Sequence, residues 1–328
     1  MSQETVLVTG GAGFIGHAVV ECLLKNSNLN VISLDRLDCS SDLNRLGDIL
    51  IQNPSWNKRL KVIWHDLKSE LGESVIKKVG EVEYILHLAA GSHVNRSIKD
   101  PLGFVMDNVV GTCNILEFAR KKCKRLKMFL YFSTDEVFGP AKDDEVFDEN
   151  SRYNACNPYS ATKAAGEELC NAYYNTYSMP IVITHTMNVY GPRQHEEKFI
   201  PIIIKKILKD NVLEVHTDKN GNRPSQRCYL YSEDVGDAIL FLMSNFVSGE
   251  KYNIASKYEI NGLELALKIS KIMNKKLNYK LKYPSTERPG NDFRYSVSGD
   301  KMSKLGWVQK TSLDAGLEKT VKWYLDNL

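Results

Sequence analysis

Three groups of residues in this chain have the types and spacing to do chemistry. Tyr159 and Lys163 stand four apart in Tyr-Ser-Ala-Thr-Lys, just after Asn157-Pro158 and at the start of a helical run, Ala161–Tyr177. Residues i and i+4 share a helix face. The ammonium is therefore expected near the phenol, where it favours phenolate, lowers the tyrosine pKa from its ordinary ~10 and makes Tyr159 a usable base near neutral pH. An exposed helical pair has the same spacing, so a second group decides between the two. Ser133-Thr134-Asp135-Glu136-Val137-Phe138-Gly139 follows the apolar run Met128–Phe132. Ligands of open α/β sheets bind outside the carboxyl ends of strands. Two adjacent carboxylates there are hard to explain by stability, because like charges near a buried cleft cost energy. A plain polar turn is the weaker reading.

The third group is Gly10-Gly11-Ala12-Gly13-Phe14-Ile15-Gly16, in which Gly11-x-Gly13-x-x-Gly16 directly follows one strand and opens a helix. Its glycines serve a tight turn, close backbone approach to a pyrophosphate, and helix–strand packing. The helix N-terminus offers unpaired N–H groups and a positive dipole end to the phosphates. Glycines also mark plain turns, but Asp35 ends the second predicted strand 19 residues beyond Gly16, where an acid accepts adenosine ribose hydroxyls. Arg36 follows and can instead hold a 2′-phosphate. The acid repels that phosphate, so NAD is expected rather than NADP. In His65-Asp66-Leu67, after the third strand, Asp66 suits an adenine contact or equally a solvated loop acid.

The elements that must position these groups read as a βαβα alternation. Thr5–Thr9, Asn30–Leu34, Lys61–Trp64, Tyr84–Leu88, Met128–Phe132 and Ile181–Thr184 are short apolar runs suited to parallel strands covered on both faces. Helical stretches lie between them, notably Phe14–Lys25 and Pro101–Lys122. The fold class is therefore α/β, a doubly wound parallel Rossmann sheet. After Thr184 the loops lengthen around Arg193–Lys198 and Asp218–Gln226, while helices are expected at Ile200–Lys209, Glu233–Met243, Gly262–Met273 and Leu313–Leu325. A smaller mixed α/β C-terminal domain is expected there.

Composition sets the outer bounds. The 328 residues suffice for two domains. Their 43 basic and 40 acidic residues leave a net charge of +3, which argues against non-specific nucleic-acid binding. Seven cysteines (Cys22, Cys39, Cys113, Cys123, Cys156, Cys170 and Cys228) form no Cys-x-x-Cys pair. A reducing compartment is expected, with no disulfide framework and no metal. The start, Met-Ser-Gln-Glu-Thr, lacks signal-peptide features, and no apolar run reaches the ~20 residues of a membrane span. The expected location is cytoplasmic, away from the membrane.

Taken together, Gly-Gly-Ala-Gly-Phe-Ile-Gly, Ser-Thr-Asp-Glu-Val-Phe-Gly and Tyr-Ser-Ala-Thr-Lys resemble the extended short-chain dehydrogenase/reductases. The Thr134-Asp135-Glu136 triplet resembles the dTDP-glucose and UDP-glucose 4,6-dehydratases in particular. The likeness runs nearly end to end. It includes Leu88-Ala-Ala-Gly-Ser-His93-Val-Asn-Arg96-Ser, Asn108-Val-Val-Gly-Thr, Asn188-Val-Tyr-Gly-Pro192, Glu197-Lys198-Phe-Ile-Pro201, Tyr252-Asn253-Ile and Glu287-Arg288-Pro-Gly-Asn-Asp-Phe-Arg294-Tyr.

The resemblance implies a lyase that converts an NDP-glucose to NDP-4-keto-6-deoxyglucose and water through transient NAD reduction, in rhamnose-type deoxysugar synthesis. Tyr159 would take the proton of the sugar 4-hydroxyl, Thr134 would bond that oxygen, and Lys163 would hold Tyr159 and the nicotinamide ribose. Glu136 would remove the C5 proton and Asp135, held protonated, would protonate the departing 6-hydroxyl. Adjacent carboxyls can divide those jobs if their environments separate their pKa values. The implied cofactor set is Gly10, Gly11, Gly13, Phe14, Ile15, Gly16, Asp35, Asp66, Leu67, Ala89, Ala90, Asn108, Tyr159 and Lys163. The implied substrate set is His93, Asn188, Glu197, Lys198, Arg227, Asn253, Arg288 and Asn291, with Arg227 and Arg288 as diphosphate clamps.

By the same likeness, residues 1–187 and 229–256 would form the NAD-binding domain, and 188–228 and 257–328 the sugar-nucleotide domain. Relatives dimerise through the helices Pro101–Lys122 and Pro158–Tyr177, so a homodimer is implied; Val105, Val109, Leu116 and Ala119 fit its buried face or equally the monomer core. Asn95 stands where many relatives carry Asp, Gly91 where they carry a larger polar residue, and Glu196 replaces a common Pro. Leu34–Ser41 and Arg-Pro-x-Asn-Asp-x-Arg-Tyr lean toward the UDP-glucose enzymes. The rival readings are a 4-epimerase or decarboxylase of the same superfamily, and a non-catalytic NAD-binding regulatory protein.

Overall fold

The computed structural model describes residues 3–38, 40–283 and 293–327. Its main sheet has seven parallel strands: β1 (Thr5–Thr9), β2 (Asn30–Asp35), β3 (Leu60–Trp64), β4 (Tyr84–His87), β5 (Met128–Thr134), β6 (Ile181–Thr186) and, after three strands that belong to smaller sheets, β10 (Lys251–Ile254). Their spatial order is β10-β6-β5-β4-β1-β2-β3. The order reverses between β1 and β4, which opens a crevice at the strands' carboxyl ends. Strand alternation splits the core in two: Val6 and Val8 pack to one face of the sheet, Leu7 to the other.

The helices are α1 (Phe14–Asn26), α2 (Leu43–Gln52), α3 (Glu73–Val79), α4 (Val94–Lys99), α5 (Pro101–Val105), α6 (Gly111–Lys122), α7 (Pro158–Tyr177), α8 (Phe199–Leu208), α9 (Ser232–Asn245), α10 (Gly262–Ile272), α11 (Asp300–Leu305) and α12 (Leu313–Asn327). Helix α9 crosses α1 so closely that a Cβ on Gly236 would lie 2.7 Å from the Cys22 side chain. The stretch expected as one helix from Pro101 to Lys122 is α5 and α6 joined by a π turn at Met106–Val110. π turns inside helices often mark functional sites.

The smaller layer holds a three-stranded sheet, β11-β9-β7 (Glu259–Asn261, Gln226–Tyr231 and Asn188–Tyr190), and a two-stranded one, β12-β8 (Tyr279–Lys282 and Leu213–His216). Helices α8, α10 and α12 close over them on one apolar cluster that includes Ile203, Leu265 and Leu317. Two expected domain boundaries shift. Residues 229–231 belong to β9 in the small sheet, not to the main sheet, because Tyr229 and Tyr231 fill the small core. Residues 300–307 return to the main core, where Met302 and Trp307 are buried.

Of the residues expected at a subunit interface, Leu116 and Ala119 are buried within the chain, while Val105 is 39% exposed beside Leu102 at 76%. Among the described residues, no helix is long and apolar enough to cross a membrane.

The glycine turn leaves no room for a side chain at Gly16, where a Cβ would stand 2.0 Å from the Gly10 carbonyl oxygen. Gly16→Ala is expected to destabilise the protein by about 1–3 kcal/mol or more, since backbone cannot yield as a side chain does. Urea unfolding of the variant against the parent measures this.

Candidate functional site

A cavity of about 330 Å³ opens at the carboxyl ends of β1, β2, β4, β5 and β6. Its first wall is the glycine turn. Gly10 takes φ +73°, and a Cβ there would meet the Ala89 backbone at 2.9 Å. Gly13 precedes α1 without a side-chain cap, so the first N–H groups of the helix are left for a ligand. Gly10, Gly13, Phe14, Ile15 and Gly16 all line the cavity. Gly11 does not; it faces β2, where a Cβ would lie 2.3 Å from Ser33 Oγ, so its role is helix–strand packing.

Asp35 lines the cavity, but its carboxylate also builds the turn. It accepts bonds from Ala12 N (3.0 Å), Leu37 N (2.8 Å) and Ser41 Oγ (2.8 Å). A carboxylate has about four acceptor positions, which leaves room for a ribose hydroxyl. Asp66, Leu67, Ala89 and Ala90 also line this end. Asn108 was expected to touch the cofactor, but it is buried behind the wall. Its side chain accepts from Gly91 N (2.8 Å) and donates to Gly91 O (3.1 Å) and Thr162 Oγ1 (2.9 Å), pinning the loop after β4 to α7. A concave glycine turn, an uncapped helix N-terminus and an acid at the end of β2 together fit a dinucleotide such as NAD.

The second wall carries the reactive groups. At the end of β5 the chain enters a 3₁₀ turn, Asp135–Phe138, which brings Thr134, Asp135 and Glu136 to the cavity. Tyr159 and Lys163 reach the same cavity from the first turns of α7. That helix starts where it does because Asn157 and Ser160 form a capping box and Pro158 takes the first position. The Asn157 amide also donates to Glu136 (3.3 Å), and Tyr295 approaches the same carboxylate oxygen at 3.5 Å. Asp135 is buried, with Thr134 Oγ1 donating to one oxygen at 3.2 Å and the other oxygen lacking a protein partner. Burial, then the neighbouring Glu136 charge, push its pKa up to about 7. A carboxyl with that pKa is about half protonated near neutral pH.

One electrostatic expectation fails. Tyr159 is not shifted down in the protein alone: burial raises its pKa, Glu136 and Asp135 add to the rise, and a hydrogen bond with Thr134 opposes it. Lys163 does not supply the expected compensation, because its ammonium donates to the Phe132 carbonyl at 2.6 Å and lies 4.2 Å from the centre of the Tyr131 ring. Burial lowers Lys163 to about 8, with Glu167 pulling it back up.

The sugar-nucleotide set divides. Asn188, Glu197 and Lys198 line the cavity. His93 caps α4 by accepting from Arg96 N and sits 3.7 Å from Glu197, which also pairs with Arg96 at 2.7 Å; it lies beside the wall rather than in it. Arg227 is turned aside: its guanidinium donates to the carbonyls of Gln226 (2.6 Å) and Phe293 (2.8 Å) and stacks on Tyr295. Asn253 is a clear correction. It is fully buried in β10 and shares a 2.9 Å hydrogen bond with His185, so it cannot reach a substrate in the cavity. Arg288 and Asn291 lie outside the described residues. Glu196 points out to Lys205 as an ion pair. Among the described residues, no cluster is arranged to hold a metal ion.

Sequence reasoning missed a polar network behind the reactive wall. Glu167, one turn beyond Lys163, accepts hydrogen bonds from Ser133 and Tyr153 and lies 3.0 Å from His185 Nε2. The i+4 spacing from Lys163 is a signal for Glu167; nothing near His185 in the sequence points to it.

The GDP-mannose 4,6 dehydratase family model matches residues 7–320. The chain belongs to that family. Among 4,6-dehydratases, it is 36% identical to a dTDP-glucose 4,6-dehydratase of Escherichia coli, over 98% of this chain and 94% of that one. It is also 36% identical to a trifunctional UDP-glucose 4,6-dehydratase/epimerase/reductase of Arabidopsis thaliana, covering 99% of this chain and 48% of the other. The dTDP-glucose 4,6-dehydratase of Streptomyces venezuelae, solved with NAD and TYD bound, superposes with a TM-score of 0.87 at 31% identity, covering 98% of this chain and 97% of that one. A UDP-glucose 4-epimerase of Thermus thermophilus, solved with NAD, has the same fold at 27% identity and a TM-score of 0.88, covering 99% and 100%.

For this 4,6-dehydratase family member, the Asp135 environment has a measurable consequence. Its folded pKa of about 7 lies above the ordinary 3.8. The folded protein thus keeps a proton that the unfolded chain gives up, and this stabilisation is lost as pH rises through 7. Asp135→Asn removes the ionisation. The variant is expected to gain stability over the parent between pH 5 and pH 8 by on the order of a few kcal/mol. Urea unfolding at the two pH values tests it; a constant difference between parent and variant contradicts the buried acid.

Proposed function

We propose that the protein is an NAD-dependent nucleotide-sugar 4,6-dehydratase that converts an NDP-glucose to NDP-4-keto-6-deoxyglucose. The observation that carries this reading is that Asp135 and Glu136 open onto the same cavity as Tyr159 and Lys163. An epimerase that only inverts C4 has no use for an acid and a base aimed at C5 and C6.

Tyr159 takes the proton of the sugar 4-hydroxyl, and Thr134 bonds to that oxygen. Bound NAD supplies a hydride acceptor and a positive charge, which offsets the burial that holds the Tyr159 proton. Lys163 orients the ribose edge. Once C4 is a ketone, the C5 proton is acidic, and Glu136, less buried than its neighbour, removes it. Asp135 gives its proton to the 6-hydroxyl, which departs as water. The sum is redox-neutral: the hydride taken from C4 would return from the cofactor to C6, a solvent-derived proton is restored at C5, and one water is lost. Closed walls around these groups strengthen each electrostatic contact.

On the substrate side, Asn188, Glu197 and Lys198 face the sugar nucleotide, with His93 supporting Glu197. The lean toward UDP-glucose rests on the Leu34–Ser41 segment and on the pattern from Arg288 to Tyr295. One methyl group separates the two bases, worth about 1–3 kcal/mol in a pocket. The Leu102 and Val105 side chains exposed on α5 support a homodimer through α5–α6 and α7. Cys22, Cys113, Cys123, Cys156, Cys170 and Cys228 are free thiols, as suits the cytoplasm.

The test is incubation with UDP-glucose and with dTDP-glucose in separate reactions in deuterated water. The expected products are a base-induced 4-keto-6-deoxysugar absorbance and one deuterium at C5, faster with the UDP sugar. Glu136→Gln is expected to lose at least about 100-fold in elimination. Full elimination by that variant, or no turnover of either sugar by the parent, ends this reading.

A further inference from the structure

At the adenosine end of the cavity, Arg36 stands where a guanidinium can take a 2′-phosphate. Four of its five N–H donors are already used. Both terminal nitrogens bond to the Asp107 carboxylate, Nη2 to Oδ2 at 2.9 Å and Nη1 to Oδ1. The Nε and Nη2 groups reach Asp38 Oδ2 at 2.8 and 2.6 Å, and Asp66 lies 3.9 Å from Nη1. The partner is bidentate, the geometry in which a guanidinium binds a carboxylate or a phosphate most strongly. Asp107 also holds Lys68 at 3.3 Å, the other cation lining this end. Asp107 belongs to the π turn between α5 and α6. Its immediate neighbour Asn108 is buried and bound to Gly91 and Thr162, so the turn that carries the carboxylate is fixed.

We infer that Asp107 sets the dinucleotide preference by occupying Arg36, so that this guanidinium is not left to bind a 2′-phosphate. The inference rests on the proposed NAD-dependent reading and names a residue that acts in it beyond the acid of β2. Asp35, Asp38, Asp66 and Asp107 line the same cavity as Arg36 and Lys68, an excess of two negative charges where NADP would add its phosphate. Asp35 is largely committed to the glycine turn through Ala12, Leu37 and Ser41. Neutralising Asp107 does two things at once: it removes one repelling charge and releases the Arg36 Nη1 edge of the fork beside the site, while Asp38 still holds the Nε edge.

The test is direct binding of NAD and NADP by calorimetry to the parent, Asp107→Asn, and Asp107→Asn with Arg36→Gln. Asp107→Asn keeps the side-chain shape. It is expected to raise the NADP-to-NAD affinity ratio by about tenfold or more, the scale of one charge-assisted bond. The second substitution is expected to return the ratio to near the parent value. An unchanged ratio in folded Asp107→Asn overturns the inference, as does a gain that persists without Arg36. Should Asp107→Asn fail to fold, Asp107→Ser carries the same comparison. The parent measurement separates the two failures: no NAD binding by the parent rejects the cofactor reading, whereas NAD binding with no change in ratio rejects only the role of Asp107.

Discussion

The reactive wall depends on one contact between a helix and a strand. The Lys163 ammonium, buried near the start of α7, donates to the backbone carbonyl of Phe132 at the end of β5. One turn later Glu167 accepts from Ser133 on the same strand. The two contacts fix α7 against the last residues of β5, and that fixes Tyr159 relative to Thr134, Asp135 and Glu136. A buried cation with only a carbonyl partner is costly. Here the Glu167 carboxylate nearby raises the Lys163 pKa against the effect of burial, so the helix carries its own counter-charge.

Burial then shapes the site chemistry. Asp135 and Tyr159 are both shifted toward their protonated forms, and Lys163 toward its neutral form. Each lies nearer a proton-transfer balance, or further from ionisation, than it would in water. Glu136 differs because Asn157 and Tyr295 reach it and it keeps some solvent. Two carboxyls adjacent in sequence therefore meet different surroundings, which is the condition for one to give a proton while the other takes one.

Much of this arrangement was legible in the sequence, and the rest was hidden for physical reasons. The strands β1, β2, β4, β5 and β6 announce themselves as apolar runs because both faces of the sheet are covered there, whereas β3, at the edge, is an apolar run that is mostly exposed. By contrast, β7 and β11 have three residues each, and β12 alternates lysines with apolar residues at an exposed edge. Their pairing partners are far along the chain, so no local pattern marks them. Thr134, Asp135, Glu136, Tyr159 and Lys163, which line one cavity, were readable because their spacing follows from helix geometry and from the end of a strand. Asn253 misled because a buried asparagine bonded to a distant histidine has the same residue type as a ligand-binding one. The Tyr159 shift misled for a related reason: four-residue spacing makes a contact possible, but the lysine found a stronger partner in a carbonyl.

The path of the chain between the two layers has a further meaning. It leaves the main sheet after β6, returns at α9, leaves again at β11, comes back with Met302 and Trp307, and ends in α12 over the small core. A unit threaded in this way cannot be excised or grafted as a module, since every cut strands apolar surface on both sides. Changes in which nucleotide or sugar such an enzyme accepts must come from single side chains and loop lengths, not from recombination of whole domains.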